Sequence, residues 1–204
     1  MTHFTEGENE RHNRLCRCGT KKRNPCPCCY PKKRHYSGME NIGAEINLVG
    51  SLKIGTLGKH PDIDFHTYTP ELDIRQSFAV IAQIAQNPQA RRIEFVNLAD
   101  TEECCFEWHI WFDDNNGTLW QIDIIQIKRG TKYDGYFEKQ AEEIKAAMSE
   151  EMRQTIIRLK FETPDNFKIA GIEYYKAVIQ DGITSFDDFL KWRKSHNFEG
   201  IIKW

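Results

Sequence analysis

No apolar run in this 204-residue chain approaches the roughly 18 residues that a membrane-spanning helix needs, so a transmembrane segment is not expected. The first residues, Met1 to Arg11, lack an apolar core and do not read as a secretory signal. A cytoplasmic location is therefore the expectation. Acidic residues are missing from a long stretch: Arg11, Arg14, Arg17, Lys21, Lys22, Arg23, Lys32, Lys33 and Arg34 follow one another with no acid among them. Against a net charge of -2, this leaves the rest of the chain distinctly acidic. Such a basic block fits a polyanion partner, and it fits a solvated tail equally well. Cysteine is scarce outside the same stretch, where Cys16, Cys18, Cys26, Cys28 and Cys29 crowd together while Cys104 and Cys105 lie far off. Internal repeats are absent.

What is present is a folded composition, 40% hydrophobic and 12% aromatic, long enough for one domain with an appendage or for two small domains. Residues 1–38 are polar, rich in cysteine and proline, and without periodicity. Ala44 to Val49 reads as a short strand ending at Gly50. Asp62 to Thr69 alternates with a period of two and reads as a second strand. An amphipathic helix follows from Pro70 and Glu71 to about Gln86, stopped by Asn87 and Pro88. Arg92 to Leu98 forms a third strand. Cys105 to Phe112 and Leu119 to Ile127 flank Asp113-Asp-Asn-Asn-Gly117, a turn rich in residues that tolerate positive φ, and together predict an antiparallel hairpin. Helices are expected over about 136–148, 150–161, 165–180 and 185–195. Ser149 and Thr163-Pro164-Asp165 mark two of their starts, and Asp181-Gly182 marks a stop. The expected class is α+β: a core of a small mixed sheet with helices over 39–131, and a helical region over 132–204.

On a strand, residues two apart point the same way, so Asp62 and Asp64 project together while Ile63 turns into the packing. Asp123, between Ile122 and Ile124, likewise faces away from its apolar neighbours. If its strand lies beside Asp62–Tyr68, three carboxylates converge. At roughly 5 Å and an effective dielectric near 20, each pair repels by about 3 kcal/mol. A divalent cation relieves that repulsion, and oxygen ligands suit Mg²⁺. Gly50 and Ser51, directly after a strand, offer a close backbone approach and a hydroxyl to a phosphate. The plainer alternative leaves Asp64 and Asp123 solvated on an open sheet face.

This set resembles the DNA polymerase β-type nucleotidyltransferase superfamily over about residues 42 to 128: Gly50-Ser51 at a strand end, Asp62-Ile63-Asp64 on the next strand, and Asp123 on a later one. The resemblance implies that Asp62 and Asp64 bind two metals and that Asp123 completes the catalytic metal site and helps deprotonate an acceptor hydroxyl. It implies that Ser51 and the amide nearby hold the β- or γ-phosphate of an NTP. Lys128 and Arg129 are further candidates for phosphate contacts, though no motif assigns them. The reaction implied is transfer of a nucleoside monophosphate from an NTP to a hydroxyl; the short chain, with its basic charge confined to one end, favours a small-molecule or protein acceptor over a long nucleic acid. The superfamily usually places a full helix before its first strand; only a short stretch around Gly38–Gly43 is available here, so either residues 1–38 supply that helix or the sheet is less covered on that side.

The cysteine segment, Cys16-Arg-Cys18-Gly-Thr through Cys26-Pro-Cys28-Cys29, resembles the small zinc motif at the C-terminus of SecA. Cys16, Cys18, Cys28 and Cys29 would be its tetrahedral ligands, with Cys26 a plausible substitute. A second functional reading follows: a binding module without catalysis, in which this segment docks on RNA or protein through residues 11–36 and the Asp site holds only a nucleotide. The complete three-Asp set favours the enzyme. His66 shares the Asp face, His109 reads as sheet packing or surface, and the aromatic hairpin with Trp108, Trp111 and Trp120 reads as core. Arg153, Arg158 and Lys160 could approach an anionic substrate, but amid alternating charges on their helix they read first as a solvated face.

Overall fold

The structure is a computed structural model, and it describes residues 45–198 and 200–204. The zinc-motif cysteines, the basic residues 11–34 and the segment proposed to precede the first strand lie outside the described residues. All described residues belong to one compact unit, Gly38–Trp204. Five strands form one mixed sheet: β1 (Glu45–Val49), β2 (Asp62–Thr69), β3 (Ala90–Leu98), β4 (Cys105–Asp113) and β5 (Leu119–Lys128). Their order across the sheet is β1-β2-β5-β4-β3. Among these strands only β2 and β5 pair in parallel, a consequence of the long crossover that carries the helix at Ile74–Ala85 and the β3–β4 pair between them.

The sheet has two chemically different faces. Along β5, Trp120, Ile122 and Ile124 are buried while Gln121, Asp123 and Ile125 stay half-buried; along β4, Phe106, Trp108, Ile110 and Phe112 repeat the pattern. The apolar face is covered by α2 (Ile74–Ala85), whose N-cap Asp73 accepts hydrogen bonds from the amides of Arg75 and Gln76. This cap sets the start of α2 three residues past Glu71, where the sequence pattern had suggested it. Burying Trp108 would leave its indole N–H unsatisfied, and Ser77 Oγ on α2 accepts it at 2.9 Å. Phe78 of α2 meets Phe95 and Trp108 edge-on, fastening helix to sheet.

The opposite face carries the carboxylates. Beside it run α1 (Gly50–Ile54), α3 (Tyr136–Ala147), α4 (Glu150–Glu162), α5 (Gly171–Tyr175) with a π-helical turn at Lys176–Gln180, and α6 (Phe186–Lys194). These helices share a core around Ile144, Ile156, Leu159, Tyr174 and Phe189, which Ile54 of α1 joins. Ser149 caps α4 as its sequence suggests, accepting from the amide of Met152. The helix expected over 165–180 is shorter than its pattern: Thr163 ends α4, and 164–170 run without helix until α5. Pro164 cannot continue an i→i−4 ladder, and Thr163 Oγ1 turns back to the carbonyl of Leu159. None of the described helices is long and apolar enough to cross a membrane.

Candidate active site

Parallel pairing of β2 and β5 places Asp64 opposite Asp123 and Asp62 opposite Gln121. All three carboxylates thus share the face on which α3 and α4 lie. Asp62 and Asp64 line a cavity of about 360 Å³ between the sheet and the helices, together with Gly50, Ser51, His66 and Lys160. Asp123 stands beside it, 19% exposed, next to the β4 side of the sheet.

Gly50 is there because nothing larger fits. Its φ is +66°, a region that side chains disfavour, and an added Cβ would fall 1.9 Å from Asp64 Oδ2. The carboxylate of Asp64 occupies the space a side chain would take, and the Ser51 amide donates to it. Ser51 is buried, and its hydroxyl donates to Asp62 Oδ1 at 3.4 Å. The strand-to-helix turn at Gly50 therefore locks both carboxylates of β2.

Electrostatics mark the cluster as short of cations. Burial, and then the charges of Asp62 and Asp123, push the Asp64 carboxyl up from 3.8 to about 7. Asp62 is also raised by burial, against the pull of Lys160. Lys160 lies half-buried on α4, and burial lowers its ammonium to about 8 while Asp62 and Asp64 hold it up. It donates to the carbonyl of Thr56 at 3.0 Å and sits 5.4 Å from the ring centre of Tyr175. Tyr175 in turn shares a 2.8 Å hydrogen bond with Thr56, so the lysine is fixed from both sides. An all-oxygen, mutually repelling set beside a glycine-made gap fits a hard divalent cation such as Mg²⁺.

Asp123 has partners of its own. His109, its register neighbour on β4, lies 2.7 Å away through Nδ1, and Gln121 Nε2 donates to both carboxylate oxygens at 3.0 and 3.1 Å. Among the described residues, Glu103, Cys105 and Glu107 are the set whose metal-ligating atoms gather within 4.8 Å of one another, and the three aspartates are set wider. Burial, and then the charges of Glu107 and Glu103, push the Cys105 thiol up to about 12.

The structure thus brings together Gly50, Ser51, Asp62, Asp64 and Asp123. It does not bring Lys128 and Arg129 to them. Both lie past the end of the Asp-bearing segment, since Lys128 pairs with Thr69, five residues beyond the Asp64–Asp123 pair and roughly 16 Å along the strand. Lys128 is held by Glu71 at 2.7 Å, and Arg129 by Glu45 and Asp134. Two residues of the site were not legible as such. Lys160 read as one charge among many, because its burial depends on the Thr56 loop more than a hundred residues away. His109 read as packing, because its contact with Asp123 needs the β4–β5 register. An alternation check across the predicted hairpin, placing His109 beside Asp123, was the available signal.

No protein-family model matches the chain, and no curated protein does. Solved structures do. A structure of the GLD-2–GLD-3 poly(A) polymerase complex is 10% identical with a TM-score of 0.52, over 86% of this chain and 53% of that one. A cytoplasmic RNA terminal U-transferase is 15% identical with a TM-score of 0.45, over 71% of this chain and 44% of that one. The Cid1 poly(U) polymerase bound to MgGTP is 18% identical with a TM-score of 0.45, covering 71% and 46%. This chain spans about half the length of these neighbours, between 44% and 53%. The likeness to the poly(A) polymerase concerns the fold: the chain has a nucleotidyltransferase-like α+β fold, a five-stranded mixed sheet with helices.

Proposed function

We propose that this chain transfers a nucleoside monophosphate from an NTP to a hydroxyl group, releasing pyrophosphate. The observation that carries the reading is the carboxylate set of Asp62, Asp64 and Asp123 across the parallel β2–β5 pair, with Gly50 cut back against Asp64. In the reaction the acceptor oxygen forms a bond to the α-phosphorus as the bond to pyrophosphate breaks. Asp62, Asp64 and Asp123 would hold Mg²⁺, which supplies charge neutralisation to the triphosphate and to the attacking and leaving oxygens. Ser51 lines the cavity, and its hydroxyl, turned from Asp62 to the ligand, holds a phosphate oxygen. Lys160, which lines the same cavity as Ser51, supplies the cation that Lys128 and Arg129 are too distant to provide. The negative charge of Asp123 favours loss of the acceptor hydroxyl's proton to solvent. Residues of α3, α4 and α5 line the cavity beside the carboxylates.

A small molecule or a protein is the acceptor this reading favours. The dense basic charge of the chain sits at 11–34, whereas the groups flanking Asp123 on its sheet face include the acids Glu94 and Glu107. The structural neighbours, named as RNA terminal transferases and polymerases, make an RNA oligonucleotide the necessary comparison. The test is release of labelled pyrophosphate from each NTP with Mg²⁺, offering RNA, small polyols and protein as acceptors, for the full chain and for Asp64→Ala. Turnover that depends on Asp64 supports the reading. Equal turnover by both proteins, or NTP binding without any pyrophosphate release, sinks it and favours the binding module.

A further inference from the structure

We infer that His109 is a positioning residue for the third carboxylate: with Gln121 it clamps one oxygen of Asp123 so that the other stays directed for metal binding. The inference rests on the proposed nucleotidyl transfer. The sheet makes the contact by register, since β4 and β5 run antiparallel with His109 directly opposite Asp123. Directly opposite residues hold their Cβ atoms about 5 Å apart, which is the reach at which an imidazole meets a carboxylate without moving the backbone. An ionised carboxylate offers only lone pairs, so His109 donates through Nδ1 to Oδ1. Gln121, two residues before Asp123 on the same face, adds a donor to Oδ1 at 3.0 Å and reaches Oδ2 at 3.1 Å.

The two oxygens of Asp123 are therefore unequal. Oδ1 takes a short bond from His109 and a second donor from Gln121, while Oδ2 has the longer Gln121 contact alone. A carboxylate oxygen has about two lone pairs, so Oδ1 is filled and Oδ2 keeps room for a ligand. The imidazole is itself steadied, its Nε2 lying 3.6 Å from Glu107 Oε2 on the same strand face. Glu107, His109 and Asp123 thus form a row across β4 and β5, outside the cavity lined by Asp62 and Asp64. Without the clamp, a carboxylate crowded by two like charges would rotate away from them. Groups that hold ligating carboxylates in this way typically contribute 10- to 100-fold in metal affinity or activity.

The experiment compares the full chain with its His109→Ala, His109→Asn and Gln121→Ala variants. Mn²⁺ binding is followed by electron paramagnetic resonance in the presence of a non-hydrolysable NTP, kcat and KM are measured for the NTP, and thermal melting checks folding. His109→Ala is expected to weaken Mn²⁺ binding about 10-fold or more and to lower kcat with KM for the NTP unchanged. His109→Asn, which keeps a donor on that side, should recover most of both. Mn²⁺ affinity within twofold of the parent in a folded His109→Ala protein overturns the clamp. So does tighter Mn²⁺ binding, which would mean that His109 withholds Asp123 from the metal. A parent chain that binds no Mn²⁺ at all brings down the nucleotidyl-transfer reading and the clamp with it, an outcome distinct from a parent that binds Mn²⁺ and a variant that matches it.

Discussion

Replacing Asp64 with Asn should make the metal-free protein more stable while destroying the site. In the fold, burial and the neighbouring charges of Asp62 and Asp123 raise the Asp64 carboxyl from 3.8 to about 7. A carboxylate raised on folding stabilises the native state below its unfolded value and loses that contribution as pH climbs to the folded one. Here the window runs from about pH 4 to about pH 7. A displacement of about three pH units corresponds to about 4 kcal/mol of penalty above the window. The neutral amide removes that penalty and still accepts from the Ser51 amide, but it takes a partner charge from Lys160. A net gain of about 2 kcal/mol is then expected, or a rise of about 4–8 °C in Tm for a chain of this size.

The assay is thermal melting in EDTA at pH 4 and pH 8, repeated with Mg²⁺ and an NTP. Parent and Asp64→Asn should melt nearly together at pH 4, the foot of the window, where the folded carboxyl is protonated and the unfolded one roughly half so. The variant should lead at pH 8. Added Mg²⁺ should raise the parent's Tm and leave the variant nearly unmoved. A variant that melts below the parent at pH 8 in EDTA would refute the reasoning, as would equal gaps at the two pH values, because either result means that Asp64 carries no stored repulsion.

Gly50→Ala places a methyl group within 1.9 Å of Asp64 Oδ2 at a positive φ; a loss of about 2 kcal/mol by urea denaturation is expected from the backbone alone, together with loss of the Mg²⁺-induced Tm rise. Lys160→Met keeps the packing of the side-chain stem but removes the charge, and it should raise KM for the NTP at least 10-fold in a steady-state titration, with a smaller effect on melting. Lys128→Ala combined with Arg129→Ala should leave that KM within twofold of the parent, since their partners are Glu71, Glu45 and Asp134 at the far end of β5. A large KM change in the double variant would contradict the assignment of the phosphate cation to Lys160.

The strands, the hairpin and the shared direction of Asp62 and Asp64 were legible because each depends on short spacing; Asp123 joins them only through the β2–β5 pairing. A period of two sets the direction of Asp62 and Asp64 once β2 exists, and Asn115 and Gly117 adopt the positive φ that the turn sequence advertises. The helix expected over 165–180 begins only at Gly171 for a local reason as well: apolar periodicity continued through a segment that Pro164 had already released from the α4 ladder. Lys160 and His109 were hidden for a different reason. A lysine in an alternately charged helix has the same local pattern whether it meets water or the Thr56 loop, and only packing decides.

That difference has a consequence for how the site works. The residues found by pattern, Gly50, Ser51, Asp62 and Asp64, all belong to one strand-turn-strand unit, and its geometry is set by the β1–β2 antiparallel pair and the glycine between them. The residues found only in the fold come from β4 and α4, which reach that unit through β5 and through the cavity wall. A site assembled from both kinds has a robust half and a dependent half. Damage to the far packing, such as loss of the Thr163–Tyr174 hydrogen bond that joins the end of α4 to α5, should therefore displace Lys160 before it disturbs Asp62 or Asp64. Thr163→Val tests this: the β-branched shape is kept and the hydroxyl lost, so KM for the NTP should rise while Mn²⁺ affinity stays near that of the parent. Parallel losses in both quantities would show that the two halves are not separable, and that α4 sets the geometry of the carboxylates as well as that of the lysine.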